Sequence, residues 1–504
     1  MVLKKGSVAA GSKEAADAAI DILSENGNAV DAAVSAVFAS MTSEFSLTGI
    51  AGGGAMTLSL NGRKPSAIDF FVDAVPIRKN STFEFIEKVV DFGDATQKFR
   101  VGKGSIAVPG TLQGLLYAQK KYGKLPLDVV LEPAISYAKS GIRINRAQAY
   151  IFKLLEPIFS HDYKNNTILF KNKSIIQEGD LFKNEIFSDF LYELSREGIP
   201  FYLNDGIDII DKFLGKDALF DKKEMLSYNV LERECVSTKI EGYDFFSNPG
   251  PSFGGSLIAF SLDLINNLKE KRLNNNLLVK IFQATENIRS RVQRNQFNID
   301  SMQRQDILEE GFEIVNNFSR SSINDSNING FGSTTHVSVI DRDHSCVSVT
   351  TTNGEGCGYI IPGLGIMMNN MLGEEDLNPH GFHSYLNRQR LSTMMAPSIV
   401  FKDRRPFIVL GSGGSNRLRS AIVQVLINYC FKGLSLEKSV SSDRLYVEGG
   451  VLFTEPGIEI KGDAMKMYSH SLFNEKNLFF GGVNAAAVDE AFGDARRQGS
   501  AICL

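Results

Sequence analysis

Apolar residues recur at helical spacing in two runs near the start of the chain. The first run follows Ser12, a residue type that caps helix N-termini, and stops before Gly27. The second run follows Asn28 and continues to Met41. Both runs are rich in alanine, so the sequence predicts two helices that pack closely on a sheet or on each other.

Alternation of apolar and polar residues replaces this spacing after a glycine cluster at 49–54. A strand is predicted over 56–60, and Asn61-Gly62 is a strong signal for a hairpin turn. The returning strand is predicted over 66–72. Antiparallel strands combined with helices favour a layered α/β arrangement with hairpins over a doubly wound fold.

The middle of the chain divides into two regions of predicted helix and one segment of flexible composition. Residues from about 125 to 235 are predicted to be mostly helical, and 268–315 to form charged helix. Residues 317–333 are rich in serine, asparagine and glycine, which is typical of a flexible segment.

The most informative pattern covers residues 334–352. Valines alternate with polar residues on both sides of a turn at 341–345, which predicts a hairpin. Its register brings Thr334 opposite Thr352, directly after the flexible segment. From the residues alone two interpretations stay open. The run can be an ordinary strand rich in β-branched residues, or the chain can be cut so that Thr334 becomes a new N-terminus.

A new chain start at Thr334 would supply both a nucleophile and its base. The pKa of an α-amine is about 7.7–8.0, so part of it is neutral at pH 7. The amine could then take the proton of the hydroxyl on the same residue, which is a weak nucleophile without such help. Thr352 would hydrogen-bond to Thr334 and position it.

A glycine turn at 411–414 follows a buried strand and precedes an apolar helix. Glycines let backbone N–H groups face outward, which suits an oxyanion hole or an anion site. The spacing fits neither a Walker A loop nor GxGxxG, and the alternative is an ordinary tight turn.

Two polar clusters are further candidates for binding. The acids Glu374, Glu375 and Asp376 follow an apolar strand and could hold an ammonium group, or form a solvated loop. Ser392 and Thr393 could donate hydrogen bonds to a carboxylate, or serve as a cap or turn.

Composition and charge exclude several classes of protein. The chain has 504 residues, 43% of them hydrophobic, as expected for a folded protein. Its net charge of -4 argues against a general nucleic-acid binder. The five scattered cysteines form no CxxC pair and the six histidines show no ligand spacing, so we expect neither a metal nor a disulfide framework. No apolar stretch predicts a membrane span or a secretory leader, which favours a cytoplasmic protein.

Taken together, several segments resemble the γ-glutamyltransferase (γ-glutamyltranspeptidase) family of N-terminal nucleophile hydrolases. Their order and spacing both fit, and they run through most of the chain. The segments are GNAVDAAVSA (27–36), GIAGGGAM (49–56), VPGTLQGL (108–115), NPGPSFGG (248–255), TTHVSV (334–339), PGLGIMMNN (362–370), LSTMMAPSIV (391–400) and GSGGSNR (411–417).

The resemblance implies an α/β (α+β) fold of the four-layer αββα type. It also implies a precursor that cuts itself into a large subunit, 1–333, and a small catalytic subunit, 334–504, which stay interlocked as one unit. Residues 317–333 would be the processing linker.

The resemblance further implies roles for individual residues. Thr334 would be the nucleophile and processing site, Thr352 its hydrogen-bonding partner, and Gly413 and Gly414 the oxyanion-hole pair. The residues expected to bind the donor are Ser392 and Thr393 for its α-carboxylate, one of Glu374, Glu375 and Asp376 for its α-amino group, and Asn353.

One departure from the family concerns the donor's carboxylate. The family carries an arginine near the first hairpin, whereas residues 69–76 here contain none. The position of a donor-binding glutamine is changed to Met371. A charge-assisted hydrogen bond contributes about 1.5–3 kcal/mol, so the chemistry is expected to be retained while the donor specificity is open. Arg390 or Arg417 are candidates to replace the arginine.

The function implied is that of an autoprocessed γ-glutamyl transferase or hydrolase acting on glutathione or related compounds, without a cofactor. The alternatives are a related acylase of different specificity and an unprocessed binding protein with the same fold. The partners implied are a γ-glutamyl or other amide substrate, an amino acid, peptide or water as acceptor, and its own two subunits. Self-association is left open, and neither nucleic acid nor a membrane is expected as a partner.

Overall fold

Two antiparallel sheets lie at the centre of the structure, a computed structural model that describes residues 5–77, 82–91, 96–268, 273–294, 299–319 and 333–504. The first sheet has seven strands, in spatial order Leu231–Glu234, Ser66–Phe70, Gly53–Ser59, Cys346–Thr352, Thr335–Asp341, Gly6–Ala10 and Ser500–Cys503. The second has six, in spatial order Val236–Ile240, Tyr243–Ser247, Ser398–Lys402, Arg405–Gly413, Gly482–Ala487 and Ala491–Phe492.

The two sheets pack face to face along the strand Thr335–Asp341. The hydroxyl of Ser338 donates to the carbonyl oxygen of Asn484 at 3.1 Å, and the side-chain amide of Asn484 donates to the carbonyl of His336 at 3.0 Å. Because successive side chains of a strand point to opposite faces, the two valines of this strand point away from the second sheet and into the core below the helices. The alternating pattern at 334–352 therefore reflects two different buried faces.

The helices Lys13–Ser24 and Ala29–Ser43 cover the outer face of the first sheet. The hydroxyl of Ser12 accepts a hydrogen bond from the first turn of the first helix. The side chain of Asn28 does the same for the second helix, and Asp31 completes a capping box. The caps expected from the sequence are confirmed.

Helices also cover the outer face of the second sheet. Their apolar sides enclose a separate core with strand residues such as Leu410 and Val483. The order of layers is helix, sheet, sheet, helix, which confirms the α+β arrangement expected from the sequence. These helices are Gly254–Asn267, Asn275–Arg294, Gln305–Asn316 and Leu418–Leu426.

The hairpin expected near the start of the chain is confirmed, with its turn at Asn61-Gly62. Gly53–Ser59 pairs antiparallel with Ser66–Phe70 on either side of the Asn61-Gly62 turn. The second strand ends at Phe70, earlier than the expected residue 72. Beyond that point the carbonyl of Val72 accepts a hydrogen bond from Leu391 instead of from a neighbouring strand of the sheet.

The segment 125–235 contains more short strands and turns than the helical pattern suggests. A two-stranded pair joins Ile142–Arg143 to Leu181–Phe182, and another joins Phe170–Lys171 to Ser174–Ile175. The helices of this segment are Leu127–Ser140, Arg146–Leu154, Glu156–Phe159, Glu185–Glu197, Ile199–Phe201, Ile207–Leu214 and Lys222–Leu226. The helix Thr111–Tyr122 precedes it.

The charged region 268–315 forms two helices rather than one, Asn275–Arg294 and Gln305–Asn316. Most of the expected flexible linker, residues 320–332, lies outside the described residues. The remaining helix is Leu436–Ser441, and the remaining strands are Asp73–Ala74, Ile86–Asp91, Thr96–Val101, Ile360–Ile361, Ile366–Met367, Gln389–Arg390, Leu445–Glu448, Val451–Thr454 and Ser469–Leu472. Within the described ranges, every helix is too short or too polar to cross a membrane.

Candidate active site

The register of the central hairpin sets the geometry of the site. Thr335 pairs with Thr351 and His336 with Thr350, so Thr334 lies beside Thr352, as expected from the sequence. Both of these threonines are buried. They lie at the end of the hairpin that is remote from its turn, where the first sheet meets residues from the glycine turn and from 371–376.

Ser333, the residue before Thr334, is held through both its carbonyl oxygen and its N–H. The hydroxyl of Thr352 donates to the carbonyl oxygen of Ser333. The N–H of Ser333 donates to the carboxylate of Glu355 at 3.2 Å. The hydroxyl oxygen of Thr352 also accepts a hydrogen bond from the N–H of Gly354 at 3.1 Å, which fixes the direction of its own proton. The carbonyl carbon of Ser333 is thereby polarised.

The glycine turn approaches the same residue from the second sheet. The strand Arg405–Gly413 ends beside Thr334, and a Cβ atom added to Gly413 would lie 2.3 Å from the carbonyl oxygen of Thr334. Gly414 has φ +127°, a conformation that favours glycine. The approach therefore requires glycine at both positions.

A cleft of about 580 Å³ opens in front of Thr334. Asp376 is fixed within it, because its carboxylate accepts a hydrogen bond from the hydroxyl of Ser415 at 3.0 Å. The cleft gathers most of the candidate side chains: Thr334, Thr352, Glu374, Asp376, Ser392 and Thr393. Its apolar wall is formed by Phe71, Phe253, Met371, Leu377, Met394, Met395 and Leu418.

The structure places two other candidates differently. Glu375 is exposed to solvent beside the cleft. Asn353 is buried and turned toward the interior, where its side-chain amide donates to the carbonyl of Met367 at 3.0 Å. Of the three acids, Glu374 and Asp376 therefore line the cleft, and Glu375 does not.

Glu355 is a member of the site that sequence reasoning missed. Its side chain is buried and hydrogen-bonds to Glu374, the acid that lines the cleft. Burial raises the pKa of both Glu355 and Glu374 well above their ordinary values. The only signal in the sequence was an acid between two glycines, shortly after Thr352.

A second cavity of about 670 Å³ lies on the other side of Thr334. Its apolar wall comes mainly from the helix Arg146–Leu154, and it is also lined by the buried Glu44 and the half-buried Arg497. Burial raises the pKa of Glu44 to about 7 and lowers that of Arg497 to about 10. Ser333 and Thr334 line both cavities, so the peptide bond between them forms part of the partition.

The two arginines considered as replacements have other contacts. Arg390 forms ion pairs with Asp69 at 2.9 Å and Asp73 at 2.8 Å, and donates to the hydroxyl of Tyr228. Arg417 is buried, with its guanidinium 4.6 Å from the centre of the Phe479 ring. The described residues that line the cleft in front of Thr334 include neither arginine nor lysine.

His336 separates the two sheets behind the site. One ring nitrogen shares a hydrogen bond with Thr350 at 2.7 Å and the other with Ser338 at 2.9 Å. Burial lowers the pKa of His336 to about 3, so the ring is neutral. This histidine is a structural spacer between the strands.

The four layers of helix, sheet, sheet and helix, together with the match to a family model, identify an enzyme of the N-terminal nucleophile hydrolase type. The family model for gamma-glutamyltranspeptidase matches residues 15–504, and the chain belongs to that family. The family resemblance expected from the sequence is confirmed.

The curated relatives include glutathione hydrolases and acylases. The chain is 26% identical to the glutathione hydrolase proenzyme of Escherichia coli (strain K12), over 88% of this chain and 81% of that protein. It is also 26% identical to the acylase ACY 1 proenzyme of Pseudomonas sp. (strain SE83), over 96% of this chain and 90% of that protein. Among solved structures, cephalosporin acylase from Bacillus halodurans shares the fold with a TM-score of 0.81, at 20% identity over 99% of this chain and 96% of that one.

Proposed function

We propose that this enzyme cleaves its own chain between Ser333 and Thr334 and then hydrolyses or transfers the γ-glutamyl group of glutathione or a related amide. The observation that carries the proposal is the hydrogen bond from the Thr352 hydroxyl to the Ser333 carbonyl oxygen. It polarises the bond that would be cut, on a residue adjacent to the nucleophile. That both curated relatives are named proenzymes supports cleavage.

Cleavage begins with attack by the Thr334 hydroxyl oxygen on the Ser333 carbonyl carbon. A C–O bond forms, the C–N bond breaks, and the hydroxyl proton passes to the departing nitrogen, which becomes the α-amine. Water then hydrolyses the ester, which leaves a carboxylate on Ser333 and restores the Thr334 hydroxyl. The products are the large chain, 1–333, and the small chain, 334–504.

The two chains would stay associated because they share both sheets. In the first sheet, the strand Thr335–Asp341 of the small chain lies between Gly6–Ala10 of the large chain and its own hairpin partner. In the second sheet, Tyr243–Ser247 of the large chain pairs with Ser398–Lys402 of the small chain. Separation would break a ladder in the middle of each sheet.

Turnover uses the new α-amine as the base. The amine takes the hydroxyl proton of Thr334 while the oxygen attacks the donor's amide carbon, and the negative oxygen that forms lies against the backbone of Gly413 and Gly414. Loss of one such donor typically costs about 10²–10³ in rate. The amine product leaves with a proton, and water, an amino acid or a peptide takes the acyl group.

The donor would be held by neutral and acidic groups of the cleft. We assign its α-carboxylate to the hydroxyl groups of Ser392 and Thr393, and its α-ammonium to Asp376 with Glu374 nearby. Asp376 is already oriented by Ser415. Glu375 and Asn353 are left without a direct role by their positions.

A second candidate function is that of an acylase with a different acyl group. The observation that favours it is the cleft without arginine or lysine among its described residues, since a γ-glutamyl carboxylate would find only neutral donors there. Comparing γ-glutamyl-p-nitroanilide with glutaryl-p-nitroanilide tests this alternative. A higher kcat/KM for the glutaryl compound would support the acylase.

The cleavage itself is tested on a denaturing gel followed by N-terminal sequencing. Wild-type protein should give two chains, and the smaller one should begin Thr-Thr-His-Val. The T334A variant should stay a single chain. An active preparation that consists of one uncut chain would overturn the proposal.

We also propose that the enzyme works in the cytoplasm. All five cysteines are free, and Cys346, Cys357 and Cys430 are buried. A reducing compartment keeps such thiols from pairing. Cell fractionation with an antibody to the chain tests this location.

A further inference from the structure

Glu355 is held in an uncommon position by the turn that carries it. It lies between Gly354 and Gly356, whose φ angles of +61° and +86° fold the chain back toward Thr334. Its N–H donates to the side-chain oxygen of Asn370 at 2.9 Å. The backbone therefore fixes the direction in which this buried carboxylate points.

The carboxylate contacts the residue on the acyl side of the bond proposed to be cut. It accepts the N–H of Ser333 at 3.2 Å, and Ser333 and Glu355 both line the cavity behind Thr334. Glu374 lies on the other side of the partition and lines the cleft in front. Two carboxyl groups can hydrogen-bond to each other only through a proton, so the pair carries at least one proton and at most one negative charge.

Cleavage detaches from Thr334 the residue whose N–H Glu355 now accepts. Once the bond to Thr334 is cut, Ser333 belongs to the end of the large chain and is free to move. The nearest new donor is the α-amine of Thr334, which is one residue further along the chain, and consecutive Cα atoms are about 3.8 Å apart. A carboxylate with a vacant acceptor position would then lie within reach of an ammonium group.

We propose that Glu355 is a positioning residue that holds the Ser333 amide during cleavage and afterwards accepts a hydrogen bond from the α-amine of Thr334. The inference rests on the proposed function and adds a residue to it. Glu355 acts through the α-amine, so no bond is made or broken on its own atoms. Its partner Glu374 keeps the pair at no more than one negative charge.

The amine would be more basic beside this pair than in a peptide. The charged groups that face Glu355 are Glu374, Asp376 and, from the opposite side, Arg497. A neighbouring negative charge favours the ammonium form and raises the pKa of the amine above its ordinary range of about 7.7–8.0. Because the neutral amine is the base, activity should rise with pH through that raised pKa.

The test is Glu355→Gln, which keeps the size of the side chain and removes its charge. We expect the precursor to convert at least tenfold more slowly on a gel time course. In the fraction that is cut, the rising limb of the kcat/KM profile should move about one pH unit lower. A merely structural role would not move that limb. The exposed Glu178→Gln variant is the control and should match the wild type in both measurements.

Glu355→Asp separates charge from shape. It keeps the negative charge on a shorter side chain, so it should recover most of the cleavage rate. The rising limb of its kcat/KM profile should lie at the same pH as in the wild type. The proposal is overturned if E355Q is cleaved at the wild-type rate and its kcat/KM profile rises at the wild-type pH. It is also overturned if the cleavage rate of E355D falls as far as that of E355Q. A wild-type protein that stays uncut would instead refute the proposed function.

Discussion

The hydroxyl of Thr352 donates a hydrogen bond to the carbonyl oxygen of Ser333, across the end of the hairpin formed by 335–341 and 346–352. The contact is possible because the register places residues 334 and 352 side by side. It means that the uncut chain already has its proposed cleavage site polarised. The proposed cleavage and turnover would therefore depend on the same pair of neighbouring strands.

Replacing Thr352 by valine should slow cleavage by roughly 10²–10³, since the side chain keeps its shape and loses the hydroxyl that polarises the carbonyl. The measurement is the half-time for conversion of the precursor on a denaturing gel. Thr351→Val is a matched control, because its hydroxyl shares a hydrogen bond with Thr48 rather than with the cleavage site. Equal rates for T352V and the wild type would contradict the role of Thr352.

Replacing Asp376 by asparagine should raise the KM for a γ-glutamyl donor at least tenfold and change kcat less. The carboxylate faces the cleft, whereas the neighbouring Glu375 is exposed to solvent. We therefore expect Glu375→Gln to have a KM within about twofold of the wild type, as for most exposed substitutions. The reverse result would show that Glu375 binds the amine.

Replacing Arg390 by methionine should destabilise the protein by about 1–3 kcal/mol, because it removes one of the two arginines that each of Asp69 and Asp73 holds, the others being Arg233 and Arg388. Denaturant unfolding measures this, best in the uncut T334A background, where one chain unfolds. The exposed Arg304, paired with Asp306, provides the comparison, and Arg304→Met should cost less than about 1 kcal/mol.

Arg390 also allows a test of donor binding. If it held the donor's carboxylate, the small amount of folded R390M protein would show a raised KM. We expect an unchanged KM, since its guanidinium is bound by Asp69, Asp73 and Tyr228. A tenfold rise would restore Arg390 as the substitute for the missing arginine.

The pH dependence of stability should reveal Glu44. Burial raises its pKa from 4.5 to about 7 in the folded protein, so folding favours its protonated form. The contribution of Glu44 to the free energy of unfolding is therefore fully present below about pH 4.5. It is lost as the pH rises through 7, because the folded protein resists ionisation of this group. Glu44→Gln should remove that loss. In the T334A background, the free energy of unfolding of the E44Q variant at pH 8 should be higher than that of its parent by up to about 3 kcal/mol.

The comparison for Glu44 is made across pH. The advantage of E44Q should shrink toward zero below about pH 4.5, where the glutamate is protonated in both the folded and the unfolded chain. For the exposed Glu178→Gln variant, the free energy of unfolding should change with pH in the same way as that of its parent over the whole pH range. A gap of constant size between E44Q and its parent would mean that packing, not ionisation, causes the difference.

Local patterns determined the parts of the fold that depend on neighbours in the chain. The caps at Ser12 and Asn28 and the register of the hairpin that brings Thr334 to Thr352 follow from short-range rules of spacing and capping. The family resemblance added the layered fold and placed the glycine turn beside the nucleophile. Within 125–235 the same rules overstated the helix, because pairs of two-residue strands are too short to produce a pattern.

Contacts between distant segments were decided only by the tertiary structure. Arg390 pairs with Asp69 across 321 positions of the chain, and neither residue's spacing indicates the other. Glu355 reaches Ser333 because two glycines with positive φ turn the chain back, a conformation that composition does not disclose. The sequence by itself determined which chemistry is present. The long-range packing decided which charges face the reacting bond, since desolvation and hydrogen bonding depend on what surrounds a side chain rather than on its place in the chain.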